Sequence, residues 1–491
     1  MKLWGKVGLG LLAVVALLVA VVAYRTATFK PPSAVDVTAV KLAAAVPVDQ
    51  ALAARRLSES IRILTISHQD KADNDWAEWD RLHAWLASSY PAAHKAMSRE
   101  ILPNKALVYS WKGSDPSLAP IVLMAHQDVV PVTEGTEKDW KHPPFEGVIA
   151  EGAVWGRGAI DDKGSLVTIF ESLEALAASG FQPRRTIMIV SGQDEEAGGS
   201  GAQAAAALMK GRGIKAEWVL DEGMAVVTDF PMVNKPVAVI GLAEKGYATL
   251  RIVARAPGGH SSAPPAETGV ETLSKAILAI TGKPFPMTFN GPGAGMIRAV
   301  APEADLPTRI VVANTWLFGG LLKSQLAKSP ASAATLHTTI APTMLKGSPK
   351  ENVLPQDATA WINYRIAPGQ TADEVMAAAR AATKGLNVEL SWERGGGINP
   401  SPVSSTASDG WKLLAALGSE GGTIPVAPGL VTAGTDSRYL AGVAKDVYRF
   451  APMHASIGEF GMIHGTNEHM TLENLRRMTD FYTRLIATAA G

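Results

Sequence analysis

The sequence predicts an α/β protein in which a larger domain with a mostly parallel sheet carries a smaller inserted α+β domain. Three apolar runs, at residues 121–125, 186–190 and 218–220, have the length and composition of buried strands. Lys163–Ala178, with apolar residues at helical spacing, follows the first run, and the Ala-rich segment Ser200–Lys210 follows the second. Because alternating strands and helices form parallel sheets, we expect ligands beyond the carboxyl ends of these strands.

A different pattern predicts the inserted domain. Tyr247–Ala254 and Ala358–Ile366 alternate polar and apolar residues, as half-exposed strands do, and Val388–Trp392 is a third candidate strand. Helices are predicted near Glu271–Thr281 and over Ala372–Thr383. We therefore divide the chain into an N-terminal segment (1–30), the first part of the larger domain (31–240), the inserted domain (241–397) and its second part (398–491).

The N-terminus contains a long apolar segment. Val7–Tyr24 is a run of 18 uncharged residues that follows Lys2 and Lys6. A membrane-spanning helix needs about 20 apolar residues, whereas a cleaved signal peptide has an apolar core of about 7–15. The run favours an uncleaved signal anchor over a cleaved signal peptide or a buried helix. We expect an exported protein, either anchored in the membrane or, after cleavage, secreted or periplasmic. Residues 26–53, rich in Pro, Ala and Val, resemble a tether.

The composition excludes several functions. Lys and Arg together number 46, as do Asp and Glu, and no basic cluster is present, so we expect no nucleic-acid partner. The absence of cysteine excludes disulfides, iron–sulfur clusters, thiolate zinc sites and thiol nucleophiles. The segment Gly198–Ala202 around Ser200 lacks the last glycine of a serine hydrolase motif. Any metal ion must be held by His and carboxylates, which suits zinc, with cobalt or manganese as substitutes.

Acidic clusters follow the predicted strands or precede the predicted helix. In chain order they are His126 with Asp128, Asp161 with Asp162, Asp194 to Glu196, and Asp221 with Glu222. For the second cluster the alternative is helix capping, because Asp is a favoured N-cap. The glycines around this pair indicate a backbone with unusual conformational demands. Repeated acids at one edge of a sheet predict a cation that compensates their charge.

Two histidines complete a set of candidate metal ligands. His260 lies in a Gly-rich part of the inserted domain, and His464 lies near the C-terminus. The candidate ligands are His126, Asp161, Glu196, Asp221 and His464. If two metal ions share one carboxylate, each ion has three protein ligands and an open position for a bridging water.

The motifs and their order resemble a known family. The series H-x-D, GRGAIDDKG, DEE, LDEG, GGHSS and IHGTNE is similar to that of the di-zinc metallopeptidases that include aminoacylase, carboxypeptidase S and succinyl-diaminopimelate desuccinylase. HPPFEG at 142–147, GTDSR at 434–438 and the segment Arg56–Ser67 most resemble the carboxypeptidase S branch, with its N-fatty-acyl-amino-acid synthase/hydrolases. The resemblance covers about residues 56–485 and implies a zinc-peptidase catalytic domain with an inserted lid domain of the dimerisation type.

The resemblance implies a role for each candidate ligand. His126 and Asp221 would bind one zinc ion, and Glu196 and His464 would bind the other. Asp161 would bridge the two ions, and the peptide bond that follows it would be cis.

It also implies roles around the metal ions. Asp128 would orient the first histidine, Glu195 would be the general base, and His260 on the lid would stabilise the oxyanion. The implied substrate contacts are Asn352, Arg365, Gly434 and Thr435.

The implied reaction is hydrolysis of the amide bond before a C-terminal amino acid, by a hydroxide bridging two zinc ions. The substrate would be a small molecule or short peptide with a free C-terminal carboxylate, and a homodimer could form through the lid. The alternatives are a dipeptidase or aminopeptidase that requires a free amino terminus, and a catalytically inactive family member. The stretch between His260 and Asn352 is longer than a minimal lid of this family.

Overall fold

The computed structural model describes residues 2–491, with side chains from residue 7 onward, so Lys2 and Lys6 lie outside the described side chains. The α-helices are α1 (Lys2–Ala27), α2 (Gln50–Ile61), α3 (Trp76–Ser89), α4 (Pro91–Ala96), α5 (Lys163–Ala178), α6 (Ser200–Gly211), α7 (Gly269–Thr281), α8 (Gly291–Val300), α9 (Leu306–Ala313), α10 (Thr315–Leu326), α11 (Pro330–Ala334), α12 (Ala372–Ala382), α13 (Asp409–Gly418) and α14 (Leu472–Ala490). The strands are β1 (Ser98–Ile101), β2 (Leu107–Trp111), β3 (Ile121–Met124), β4 (Val148–Ala150), β5 (Ala153–Trp155), β6 (Ile187–Ser191), β7 (Ala216–Asp221), β8 (Val226–Val227), β9 (Val237–Glu244), β10 (Gly246–Arg255), β11 (Gly259–His260), β12 (Thr339–Lys346), β13 (Val353–Leu354), β14 (Asp357–Ile366), β15 (Val388–Trp392), β16 (Val426–Val431), β17 (Ala444–Arg449), β18 (His454–Ala455) and β19 (His469–Thr471).

A mostly parallel sheet forms the centre of the larger domain. Its strand order is β1-β2-β6-β3-β7-β17-β9-β8-β18, with β16 beside β9. The three predicted buried strands are β3, β6 and β7, which lie next to one another and run parallel. Helix α5 has the predicted bounds, is buried over most of its length and packs against α2, α4 and α14. The predicted α/β class is confirmed.

The inserted domain, which we call the lid, has an antiparallel sheet. Its order is β12-β14-β10-β15, and α7 and α12 pack on it around residues such as Leu250, Ile362 and Val375. Strand β9 belongs to the central sheet and β10 to the lid sheet, so the chain crosses between domains at Lys245. The predicted boundary at residue 240 falls within β9.

The long stretch between α7 and β12 is helical. Helices α8, α9, α10 and α11 enclose a small core of their own, which includes Ala294, Ile297, Val312 and Leu322. Phe29, from the segment after α1, packs against this core. The sequence indicated extra length here but not the helices.

The N-terminal segment has two parts. Within α1, the apolar residues Val7–Ala27 form a helix long enough to cross a membrane and unburied in the fold, as a signal anchor or signal peptide would be. The following residues differ from the predicted tether, because Val35 and Val37 pack against the main core and the Ser33 carbonyl accepts a hydrogen bond from Trp411. Apolar side chains spaced along this segment cover the core rather than remaining in solvent.

Candidate active site

Loops after three adjacent strands bring the acidic clusters together. Because β6, β3 and β7 are neighbours and parallel, their carboxyl ends lie at one edge of the sheet. His126 follows β3, Glu195 and Glu196 follow β6, and Glu222 follows β7. Asp161 enters the same place from the turn before α5. The convergence explains why residues up to 100 positions apart can share one site.

Asp161 lies between the two histidines. Its Oδ1 is 2.8 Å from Nε2 of His126, and its Oδ2 is 3.2 Å from Nε2 of His464. The same nitrogen of His464 lies 3.0 Å from Oε1 of Glu196. Each oxygen of one carboxylate therefore faces a different histidine, which is the arrangement of a ligand that bridges two cations.

The last acid at the cluster is Glu222 rather than Asp221. Oε1 of Glu222 lies 3.6 Å from Nε2 of His126. Asp221, the last residue of β7, accepts a hydrogen bond from the backbone N–H of Ser437 at 2.9 Å. Asp221 ends β7 and Glu222 is the first residue after it, so the two carboxylates leave the chain in different directions. The sequence carries no signal that selects one of these two adjacent acids.

Asp128 connects the first histidine to the third acidic cluster, Asp194 to Glu196. Its Oδ1 is 3.3 Å from Nδ1 of His126, and its carbonyl oxygen is 2.9 Å from the same atom. Both carboxylate oxygens also accept hydrogen bonds at 3.1 Å, from the N–H groups of Glu195 and Glu196. A partner at Nδ1 leaves Nε2 facing the cluster, as metal-binding imidazoles require. The orienting role of Asp128 stays a prediction, and these contacts are the ones that the role needs.

Glu468 fixes the backbone around Asp161. This fully buried carboxylate accepts hydrogen bonds from the N–H groups of Gly158, Ile160 and Asp161, and from the guanidinium of Arg157 at 2.8 Å. Gly158 has a φ of 84°, and a Cβ there would lie 2.5 Å from a side-chain carbon of Val129. The glycine is therefore required by the turn, as its position beside the paired acids indicated.

Two further backbone features occur at the cluster. The peptide bond between Asp161 and Asp162 is cis, which confirms the expectation from the family resemblance. His464 has a φ of 60°, in the left-handed region that non-glycine residues seldom adopt. Such conformations persist where the surroundings impose them, and they concentrate at functional sites.

The electrostatics of the cluster show that it is short of positive charge. Hydrogen bonds with Asp161 and Glu196 raise the pKa of His464 to about 10. Burial raises the pKa of Glu195 well above its usual value, and neighbouring acids add to the effect. The pKa of Glu222 is likewise raised by burial and by Asp161. The histidine and carboxylates of the cluster thus hold protons tightly. Divalent cations could replace these protons, because metal ligation needs neutral histidine and ionised carboxylates.

The donor chemistry fits divalent metal ions. Three groups of His and carboxylate residues could each hold a metal ion, because the ligand atoms within a group lie within 4.8 Å of one another. The groups share members. They are His126 with Asp161 and Glu222, His126 with Glu195 and Glu196, and Asp161 with Glu196 and His464. Nitrogen and oxygen donors without sulfur suit zinc and the related ions.

The lid residues predicted to contact substrate lie apart from the cluster in this chain. His260 is exposed on the β11–β13 ribbon, where its Nδ1 is 2.7 Å from the Ser262 hydroxyl. Asn352 precedes β13, and its backbone carbonyl accepts a hydrogen bond from Ser261 at 3.2 Å. Among the described side chains, no hydrogen bond or ion pair joins His260 to the metal-ligating group. The backbone contact with Ser261 places Asn352 next to the ribbon that carries His260, and the roles of both residues stay predictions.

The other predicted contacts lie near the junction between the domains. Arg365 on β14 stacks over Tyr247, with its guanidinium carbon 4.8 Å from the ring centre. Burial lowers the pKa of Arg365, and the positive charge of Arg438 adds to the effect.

The loop with Gly434 and Thr435 packs against β9. Thr435 is buried and donates its hydroxyl to Glu244 at 2.9 Å, so this hydroxyl is engaged within the protein. A Cβ at Gly434 would lie 2.7 Å from the guanidinium of Arg438.

Comparison with known proteins gives a consistent result. The model of peptidase family M20/M25/M40 matches residues 122–488. A probable carboxypeptidase S-like 2 of Dictyostelium discoideum is 36% identical over 88% of this chain and 84% of that protein. The N-fatty-acyl-amino acid synthase/hydrolase PM20D1 of Xenopus tropicalis is 35% identical, with 88% and 84% covered. Carboxypeptidase S of Saccharomyces cerevisiae is 32% identical, with 84% and 80% covered.

Solved structures share the fold. An M20 family metallo-carboxypeptidase, Sso-CP2 from Sulfolobus solfataricus, superposes with a TM-score of 0.62 at 15% identity, covering 88% of this chain and 97% of that one. Aminopeptidase PepT from Bacillus cereus gives a TM-score of 0.60 at 14% identity, with 90% and 99% covered.

Proposed function

Because this chain belongs to peptidase family M20/M25/M40, and is thus a metallopeptidase or amidohydrolase, we propose that it hydrolyses the amide bond before a C-terminal amino acid. The observation that carries this proposal is the position of Asp161 between two histidines, with Glu195 beside them. This geometry has the elements of a two-metal hydrolytic site.

We propose two zinc ions as the cofactor. His126 and Glu222 would hold one ion, Glu196 and His464 the other, and Asp161 would bridge them. Glu222 replaces Asp221 in this assignment, because its carboxylate faces the cluster. Two such cations would activate a water and polarise the substrate carbonyl.

Glu195 would move the proton. Its carboxylate lies in the group formed with His126 and Glu196, and its backbone N–H is held by Asp128. As general base it takes a proton from water while the water oxygen bonds to the carbonyl carbon. It then gives that proton to the amine nitrogen as the C–N bond breaks. The products are a carboxylic acid and a free amino acid.

The lid would recognise the free carboxylate of the substrate. Arg365 and Arg438 lie close enough for the charge of one to lower the pKa of the other, and Arg438 donates a hydrogen bond to the Lys245 carbonyl. A carboxylate between such groups offsets their repulsion. His260 would reach the oxyanion after lid closure or from a second copy of the chain.

The relatives favour an acylated substrate over a free amino terminus. Relatives more than 30% identical include proteins named as carboxypeptidase S or carboxypeptidase S-like and as N-fatty-acyl-amino acid synthase/hydrolases. We propose that α1 anchors the enzyme in a membrane after export, which suits an N-acyl amino acid with a long chain.

The test uses the full-length chain in detergent, freed of metal and reloaded with zinc. We would measure amino acid release from an N-blocked dipeptide and from a long-chain N-acyl amino acid, with and without chelator. Chelator-sensitive release from the blocked dipeptide alone identifies a carboxypeptidase, and preference for the long-chain substrate identifies an N-acyl amino acid hydrolase. Release from free dipeptides alone would overturn the acyl-substrate assignment. The variant E195Q should bind zinc and release amino acid far more slowly.

A further inference from the structure

The lid carries an apolar surface beside the N-terminal helix. Leu306 at the start of α9 and Trp316, Leu317 and Leu321 on α10 are all exposed, the tryptophan by 54%. We call these four residues the α9–α10 face. Surface leucines are common singly, but several together with a tryptophan on adjoining helices mark an interaction site.

This face is joined to α1 by specific contacts. The fully buried Asn314, between α9 and α10, donates a hydrogen bond from Nδ2 to the Thr26 hydroxyl at 3.0 Å. The indole N–H of Trp316 lies 3.4 Å from Oδ1 of the same asparagine. Phe29 packs into the core enclosed by α8 to α11. The end of the apolar helix is therefore attached to the lid directly beside the exposed tryptophan.

Helix length sets the depth of the α9–α10 face relative to a bilayer. The 21 residues Val7–Ala27 rise about 31 Å at 1.5 Å per residue, close to the roughly 30 Å hydrocarbon core. When this helix spans the bilayer, Thr26 lies at the membrane surface, and Asn314 and Trp316 lie at the same level. Tryptophan and tyrosine are enriched at this level, where Tyr24 is also exposed.

The charge of the region suits a membrane surface. Residues 306–330 contain no Asp or Glu, and they include Arg309, Lys323 and Lys328. Basic residues near a bilayer are attracted to anionic headgroups.

We infer that the α9–α10 face docks into the interfacial layer of the membrane beside α1. Because α8, in the same group of helices, packs on strands β16 and β9 of the central sheet, docking would rest the enzyme on the bilayer along this side. The inference rests on the proposed membrane anchor and goes beyond it, because an anchor alone needs no contact between α10 and lipid.

The absence of cysteine in the natural chain makes a site-specific test possible. Full-length single-cysteine variants L317C, V14C and L278C would be labelled with an environment-sensitive fluorophore. They would be reconstituted, one chain per disc, in nanodiscs of phosphatidylcholine and phosphatidylglycerol. Leu278 is an exposed leucine on α7, which packs on the lid sheet, and it serves as the matched control. Lipids with a nitroxide near the headgroup provide the quencher.

We expect a blue shift and lipid-dependent quenching at L317C, a blue shift at V14C in the hydrocarbon core, and neither effect at L278C. If L317C behaves like L278C while V14C is embedded, the docking proposal is overturned and the anchor stands. If V14C is not embedded, the anchor and the docking both fail, while the hydrolytic assay still reports on the proposed reaction. A shift at L317C that lipid quenchers do not affect, and that occurs in discs with two chains but not in discs with one, would indicate a second copy on this face, which also overturns docking.

Discussion

Replacing Glu468 with glutamine should weaken both stability and metal binding. Each oxygen of this buried carboxylate accepts two hydrogen bonds, Oε2 from Arg157 and Gly158 and Oε1 from Ile160 and Asp161. In the variant E468Q an amide NH₂ faces two of these donors, whichever way the amide is turned. The guanidinium of Arg157 also loses the charge that compensates it.

The size of the effect follows from these contacts. A buried donor without a partner costs about 1–3 kcal/mol, and removing one member of a buried ion pair costs about 3–5 kcal/mol. Because the two penalties overlap at Arg157, we expect a loss of about 3–5 kcal/mol in the free energy of unfolding. Arg157 also donates to the carbonyl of Gly465, next to His464, so the change disturbs two metal ligands. We expect zinc affinity to fall by about 10–100-fold, as for other groups that support metal ligands.

The assay compares E468Q with the matched variant E171Q. Glu171 is also buried and pairs with Arg56 at 3.0 Å, but its hydrogen bonds do not reach the metal cluster. Denaturant unfolding of the metal-free chains should show both variants destabilised. Competition with a chelating dye should show weaker zinc binding for E468Q alone. Wild-type zinc affinity in E468Q, or an equal loss in E171Q, would refute the proposed support of Asp161.

Three further predictions concern the site and the domain junction. E195Q should reduce turnover by about 10²–10⁴-fold while zinc affinity is kept, because a general base typically contributes that much; a variant that turns over normally would contradict this role. E222Q should weaken zinc binding by at least about 10-fold, and D221N should change it little; the reverse result would return the ligand role to Asp221. Burial, helped by Arg365, lowers the pKa of Lys245 to about 8. The unfolded chain therefore binds more protons between about pH 8 and the usual lysine pKa of about 10.4, and stability should rise with pH across this window. The variant K245M should lack this rise in stability. Denaturant unfolding of the natural chain and of K245M across that pH range tests the prediction, and an equal pH dependence of the two unfolding midpoints would refute it.

The central elements of both domains could be predicted because their patterns are local. Helix α5 and strand β15 have the predicted bounds, and the strands β3, β6 and β7 differ from prediction by one or two residues. The helices α8 to α11 were not predicted, because glycines and prolines interrupt their periodicity and their core depends on neighbours. The tether was wrong because Val35 and Val37 find partners on a surface that the sequence does not describe.

The sequence by itself determined the chemistry of this protein. Histidine and carboxylate motifs without any cysteine predicted a metal site, and the resemblance of their order to the family to which the chain belongs implied a hydrolase. These are properties of residue type and order, which need no coordinates. Tertiary structure decided which carboxylates face the site. Glu222 lies 3.6 Å from His126, whereas Asp221 at the end of β7 accepts a hydrogen bond from Ser437, and neither contact can be read from the sequence of the two adjacent acids. Tertiary structure also joined the helices between α7 and β12 to α1 through Asn314, since a contact between residues so far apart in the chain depends on the whole fold.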